Sequence, residues 1–207
     1  MKKLVTIMLL LMVVACKEEN NSLNKIKEVV SSVKESKQDF ENVNEVMKGF
    51  EDIEKNIKKL SELAPVTKQQ IKSWMPKTID DLKRTEYNIE SQMGISSFKL
   101  TFKGDEKKRI NITISDGAGN GSAIIAMFTM MQNIEIDKEN ESGYERTQTF
   151  DDHRTLIKYQ SAKNYEKSTL KFLMNGRFGI EATALKMTPE ELWSYIKKME
   201  IDKLTEH

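Results

Sequence analysis

Cysteine is nearly absent from this 207-residue chain: only Cys16 is present, which excludes an intrachain disulfide framework. Histidine is almost as scarce, with His153 and His207 alone. Two imidazoles and one thiol are too few for the usual zinc ligand sets, so no metal and no cofactor is expected. A serine nucleophile needs a histidine base, and G-x-S-x-G does not occur; Gly119-Asn120-Gly121-Ser122 approaches it only superficially. No G-x-x-x-x-G-K-[ST] phosphate loop is present either. Neither sign of charge dominates, since 33 Lys and Arg face 32 Asp and Glu, mixed along the chain. A basic footprint for nucleic acid is therefore missing.

Long apolar runs are also lacking, with one exception. Leu4 to Val14 is apolar apart from Thr6, and it follows the basic pair Lys2-Lys3. This run is too short to span a hydrocarbon core of about 30 Å, which needs about 20 residues. It fits the apolar region of a secretory signal peptide. The run ends in Val13-Val14-Ala15-Cys16, which resembles the lipobox of bacterial lipoproteins. The resemblance implies cleavage between Ala15 and Cys16 and acylation of the Cys16 thiol, with residues 1–15 removed. Losing Lys2 and Lys3 from a formal charge of +1 leaves a mature chain at −1. Two or three acyl chains anchor stably where one does not, at about 0.8 kcal/mol per buried CH₂. The following Lys17-Glu18-Glu19 is similar to the Lys-(Asp/Glu)₂ export signal of surface lipoproteins in Bacteroidetes, the alternative being a plain charged tether. The expected location is thus the outer membrane, on its periplasmic or surface-exposed face, through the N-terminal lipid.

Residues 16–22 read as a polar tether. From Leu23 a stripe at steps of three and four runs through Ile26, Val30, Val33, Phe40, Val43, Met47, Phe50, Ile53, Ile57, Leu60 and Leu63. Pro65 stops it, so residues 23–64 are expected to form a helical segment. Its apolar face admits three readings: a self-associating stalk, a hairpin, or a helix lying on the downstream domain.

Residues 65–207 are expected to form an α+β domain, an antiparallel sheet covered by helices on one face. Thr67 to Trp74 is a short helix. Period-two alternation marks strands at 96–102 and 109–115, with 82–90, 144–150, 154–160, 168–174 and 177–184 as further strands. Asn175-Gly176 is a hairpin turn. Thr188-Pro189-Glu190-Glu191 opens a final helix through a capping box with proline in the first turn. Over residues 75–204 this order is loosely similar to PsbP-like domains, in topology alone.

Two segments compete as sites. Asp116-Gly117-Ala118-Gly119-Asn120-Gly121 joins a strand to the helix 122–133, where backbone N–H groups could hold an anion. The other reading is a tight connection in which Gly119 or Gly121 takes positive φ and Ser122 caps the helix. On that reading Asp116→Asn is nearly neutral. A Ca²⁺ loop of EF-hand type is excluded by Ala118 and Met127 at its third and twelfth positions. Asp151-Asp152-His153 offers two carboxylates and an imidazole, but between two strands it reads as a solvated turn. Met127, Met130 and Met131, with Ile124 and Phe128, read as core filling. The function expected is a non-enzymatic binding or structural module of the cell envelope, with an envelope hydrolase or a carrier of an apolar ligand as alternatives. Self-association through 23–63 is an expected partner interaction.

Overall fold

The computed structural model describes residues 53–92 and 94–205, all within one compact unit, Asn44–His207. Ala15, Cys16, the tether and the stripe over 23–52 lie outside the described residues. The chain is α+β and mostly sheet. Residues 53–61 are helical. They are followed by α1 (Lys68–Trp74), β1 (Thr78–Ile79), β2 (Leu82–Gln92), β3 (Ile95–Lys103) and β4 (Arg109–Asp116). Then come α2 (Ser122–Gln132), β5 (Asp137–Asn140), β6 (Gly143–Phe150), β7 (His153–Ala162), β8 (Tyr165–Met174), β9 (Phe178–Leu185) and α3 (Pro189–Lys197). A 3₁₀ turn over Ile201–Thr205 closes the described chain.

The nine strands of the described residues form a single antiparallel sheet in the order β1-β2-β3-β4-β9-β8-β7-β6-β5. Alternation places one apolar set on one face. Phe98, Leu100 and Phe102 of β3 stand opposite Ile114, Ile112 and Ile110 of β4, and all are buried. The row continues through Ile180, Ala182 and Ala184 of β9 to Phe172 and Leu170 of β8. Helices α1 and α3 and the 3₁₀ turn cover this face with Ile71, Trp74, Leu192, Trp193, Ile196, Ile201 and Leu204. Each fully buried side chain of this size contributes about 1.5–3 kcal/mol. The expected capping box of Thr188 with Glu191 forms, and a second, of Thr67 with Gln70, opens α1.

Helices cover both faces, not one. The chain must pass from β4 at the centre to β5 at the far edge, five steps of about 4.8 Å. Helix α2, about 16 Å long by its eleven residues, makes most of that crossing over the opposite face. There Leu60, Ile125 and Leu173 form a second cluster, with Phe128 against it. Gly179 allows the approach, since a Cβ on it would lie 2.5 Å from the Phe128 ring. At the end of the N-terminal stripe, Ile53, Ile57 and Leu60 are buried. Residues 53–61 therefore present a packed face.

Two strands were not expected. β1 is a two-residue edge, and β5 is an edge of four exposed polar residues, DKEN, with no apolar alternation to reveal it. The methionines of α2 also depart from expectation. Met127 is 64% exposed and Met130 43%, because the outward stripe of α2 is apolar rather than polar.

Candidate functional site

The 116–121 loop is built around a buried carboxylate. Asp116 ends β4 on the face that α1 and α3 cover and is fully buried. Its Oδ1 accepts from the Ala118 backbone N–H at 3.0 Å and from Arg177 Nε at 2.7 Å. Its Oδ2 accepts from the Val66 N–H at 2.7 Å and from Arg177 Nη2 at 2.9 Å. Arg177 Nη2 donates also to the Ala64 carbonyl at 3.1 Å. The loop is thereby tied to residues 64–66 and to the β8–β9 turn, through a bidentate arginine pair of the strong charge-assisted kind. Four internal donors occupy the two carboxylate oxygens.

The glycines serve the same packing. Gly119 has φ +58°, the left-handed conformation that favours glycine. Gly121 does not: its φ is −69°, and its need is space, since a Cβ there would lie 2.0 Å from the Asp116 carbonyl. A Cβ on Gly117 would meet Ile125 at 2.2 Å. Ser122 is not the cap expected of it. It is the first residue of α2 and is buried, while Gly121 holds the cap position with no side-chain hydrogen bond. Asn120, within the loop, is exposed. The expectation of a neutral Asp116→Asn is corrected here: its basis was a local turn, and Arg177 stands 61 residues away.

Asp151-Asp152-His153 is not simply a solvated turn. Asp151 and Asp152 take φ of +41° and +67°, a left-handed pair that suits a two-residue hairpin joining β6 and β7. This turn leans on α3. Trp193 Nε1 donates to Asp151 Oδ2 at 2.9 Å, and Lys197 Nζ lies 2.9 Å from the same oxygen. The Trp193 hydrogen bond first, and then Lys197, hold the Asp151 carboxyl below its ordinary range. His153 faces Phe172 and Trp193, at ring distances of 5.8 and 5.7 Å, and Phe150 stacks on Trp193 at 5.3 Å. Beside them lies an open cleft of about 330 Å³, whose apolar lining includes Met174, Trp193, Ile196 and Ile201. Sequence reasoning missed this grouping because its two halves lie some forty residues apart; the indole N–H of a buried tryptophan, which needs an acceptor, was the available signal.

Among the described residues no group of three His, Cys, Asp or Glu side chains could hold a metal ion. Nor is any described helix long and apolar enough to cross a membrane. No protein-family model matches this chain, and no curated protein does. A solved structure with a partial likeness is the extracellular domain of PknH from Mycobacterium tuberculosis. It aligns over 69% of this chain and 98% of that one, at 10% identity and a TM-score of 0.44, a likeness too distant to carry an argument.

Proposed function

We propose that this chain is a lipid-anchored envelope protein that acts as a non-enzymatic binding or structural module. The observation that carries this reading is Val13-Val14-Ala15-Cys16 at the end of an eleven-residue apolar run, with Cys16 the only cysteine in the chain. Acylated Cys16 would hold the protein at the outer membrane, on its periplasmic or exposed face. A polar tether and a long helical segment over 23–64 would separate the lipid from the sheet. The test is incorporation of labelled fatty acid in cells: wild type is expected to label and to sediment with membranes, and Cys16→Ala to do neither. Equal labelling of both would sink the reading.

The cleft beside Trp193 favours a second reading, carriage of a small apolar ligand. Its volume sits at the lower end of the range of about 300–1,000 Å³ for ligand pockets. A saturable rise in melting temperature with a medium-chain fatty acid, lost in a change of the half-buried cleft residue Met174, Met174→Glu, would support it. No shift would count against it.

A further inference from the structure

Helix α2 is apolar on its outward side as well as its inward one. Its outward positions, Ala123, Met127, Met130 and, just past its end, Ile134, follow steps of four, three and four, and all are exposed. Met127 is 64% exposed, Met130 43% and Ile134 50%. From Ser122 to Ile134 there is no charged residue. Soluble surface helices place polar residues there, and an apolar stripe of this kind marks a surface that meets something.

The sheet beside it supplies a second observation. Cross-strand register puts Lys99, Lys103, Arg109, Lys158, Lys167 and Lys171 on the face that α2 crosses. On the same rows of β3, β4, β7, β8 and β9 the only acidic side chain is Glu181, which pairs with Lys171 at 3.0 Å. The flanking strands add Lys83 and Lys138 against Glu86, Glu90 and Glu145, one negative charge net, which leaves the central excess of cations in place. A chain whose charges balance overall, at +1, thus carries a basic face around an uncharged apolar stripe. Long lysine stems also extend apolar surface while their ammonium groups stay in water.

We propose that this face docks on an anionic phospholipid bilayer, with Met127, Met130 and Ile134 entering the acyl boundary and the sheet lysines meeting the headgroups. Apolar burial and attraction to anionic lipid act together at such surfaces. The occupant follows from this charge complementarity and, resting on the anchor reading, from the chain length outside the described domain. Thirty-six residues separate Cys16 from Ile53, and even at the helical rise of about 1.5 Å per residue they span about 54 Å, enough for any face of the domain to reach the bilayer. Lipid on Cys16 would then raise the local concentration of bilayer, so weak docking suffices.

The test uses the full chain and saturating vesicles of phosphatidylcholine, with or without phosphatidylglycerol. Oxidation of Met127 and Met130 by dilute peroxide is followed by mass spectrometry, with the fully buried Met187 as a reporter of unfolding. The expected result is several-fold protection of Met127 and Met130 on phosphatidylglycerol vesicles, lost at high salt and in Lys99→Glu/Lys158→Glu, with Met187 unreactive throughout. Equal oxidation with and without vesicles overturns the proposal. So does equal protection by soluble polyphosphate, which would place an anionic polymer on this face. Flotation of wild type against Cys16→Ala reads the anchor separately. Because vesicles are saturating, protection is scored on both proteins, and failure of the anchor leaves the docking result standing.

Discussion

Replacing Asp116 by Asn removes one charge and leaves the side-chain shape almost unchanged, so its effect isolates what the carboxylate does. In the wild type Oδ1 accepts from Ala118 N–H and Arg177 Nε, and Oδ2 from Val66 N–H and Arg177 Nη2. A carboxamide has only one acceptor oxygen. In either orientation its NH₂ group faces two N–H donors, so two of four hydrogen bonds become repulsive contacts. The Arg177 cation also loses its counter-charge, though its side chain keeps 17% exposure and the Ala64 carbonyl. Breaking one side of a buried pair costs about 3–5 kcal/mol, and that residual exposure puts Asp116→Asn near the lower limit, about 3 kcal/mol. Urea unfolding of the full chain, followed by far-UV circular dichroism, measures this directly. Arg177→Met should be similarly destabilising alone. Combined with Asp116→Asn it should cost less than the sum, with a coupling energy of about 1–3 kcal/mol. A single-mutant change within about 0.5 kcal/mol, the range of ordinary surface substitutions, would refute the reasoning.

Two other outcomes follow from the same packing. Gly119→Val, at φ +58°, should cost about 1–3 kcal/mol of strain, and Gly121→Ala should cost a similar amount by collision with the Asp116 carbonyl; stability within error of wild type for either, in thermal unfolding, would contradict the loop geometry. Trp193→Phe keeps an aromatic ring, loses some buried packing at every pH, and removes the N–H that most depresses the Asp151 carboxyl. A carboxyl depressed on folding stabilises above its unfolded value, about pH 4, and loses that contribution as pH falls through the folded value. The stability difference between wild type and Trp193→Phe should therefore be larger at neutral pH than near pH 2, and a pH-independent difference would dismiss the Asp151 link.

Much of the sheet was legible because one face is buried. Wherever a strand packs on α1 and α3, its apolar residues fall at period two, as in Phe98-Lys99-Leu100-Thr101-Phe102 and Ile110-Asn111-Ile112-Thr113-Ile114. β5 has no buried face, so Asp137-Lys138-Glu139-Asn140 left no pattern to read. Hairpin turns and capping boxes are local chemistry, and the Thr188 capping box and the Asn175-Gly176 turn formed where the residues placed them. The role of Asp116 is not local. Its donors come from residues 66, 118 and 177, and no window of sequence contains all three. The exposure of Met127 and Met130 was hidden for a related reason. A helix apolar on every side has no phase from which its outward direction could be read.

Strand order has a consequence for the time course of folding. The first strands form one meander, β1 to β4, and the later ones another, β5 to β9, and the two meet only where β4 pairs with β9. Each meander consists of neighbours in sequence and can assemble early. Their junction joins Arg109–Asp116 to Phe178–Leu185, about seventy residues away, and closing so long a loop slows a fold. Until Phe178–Leu185 arrives, β4 and β8 are both open edges whose unpaired N–H and C=O groups can recruit other chains. The centre of the finished sheet is thus the last part to be sealed, and a chain cut short before Phe178 would present two adhesive edges instead of one continuous sheet.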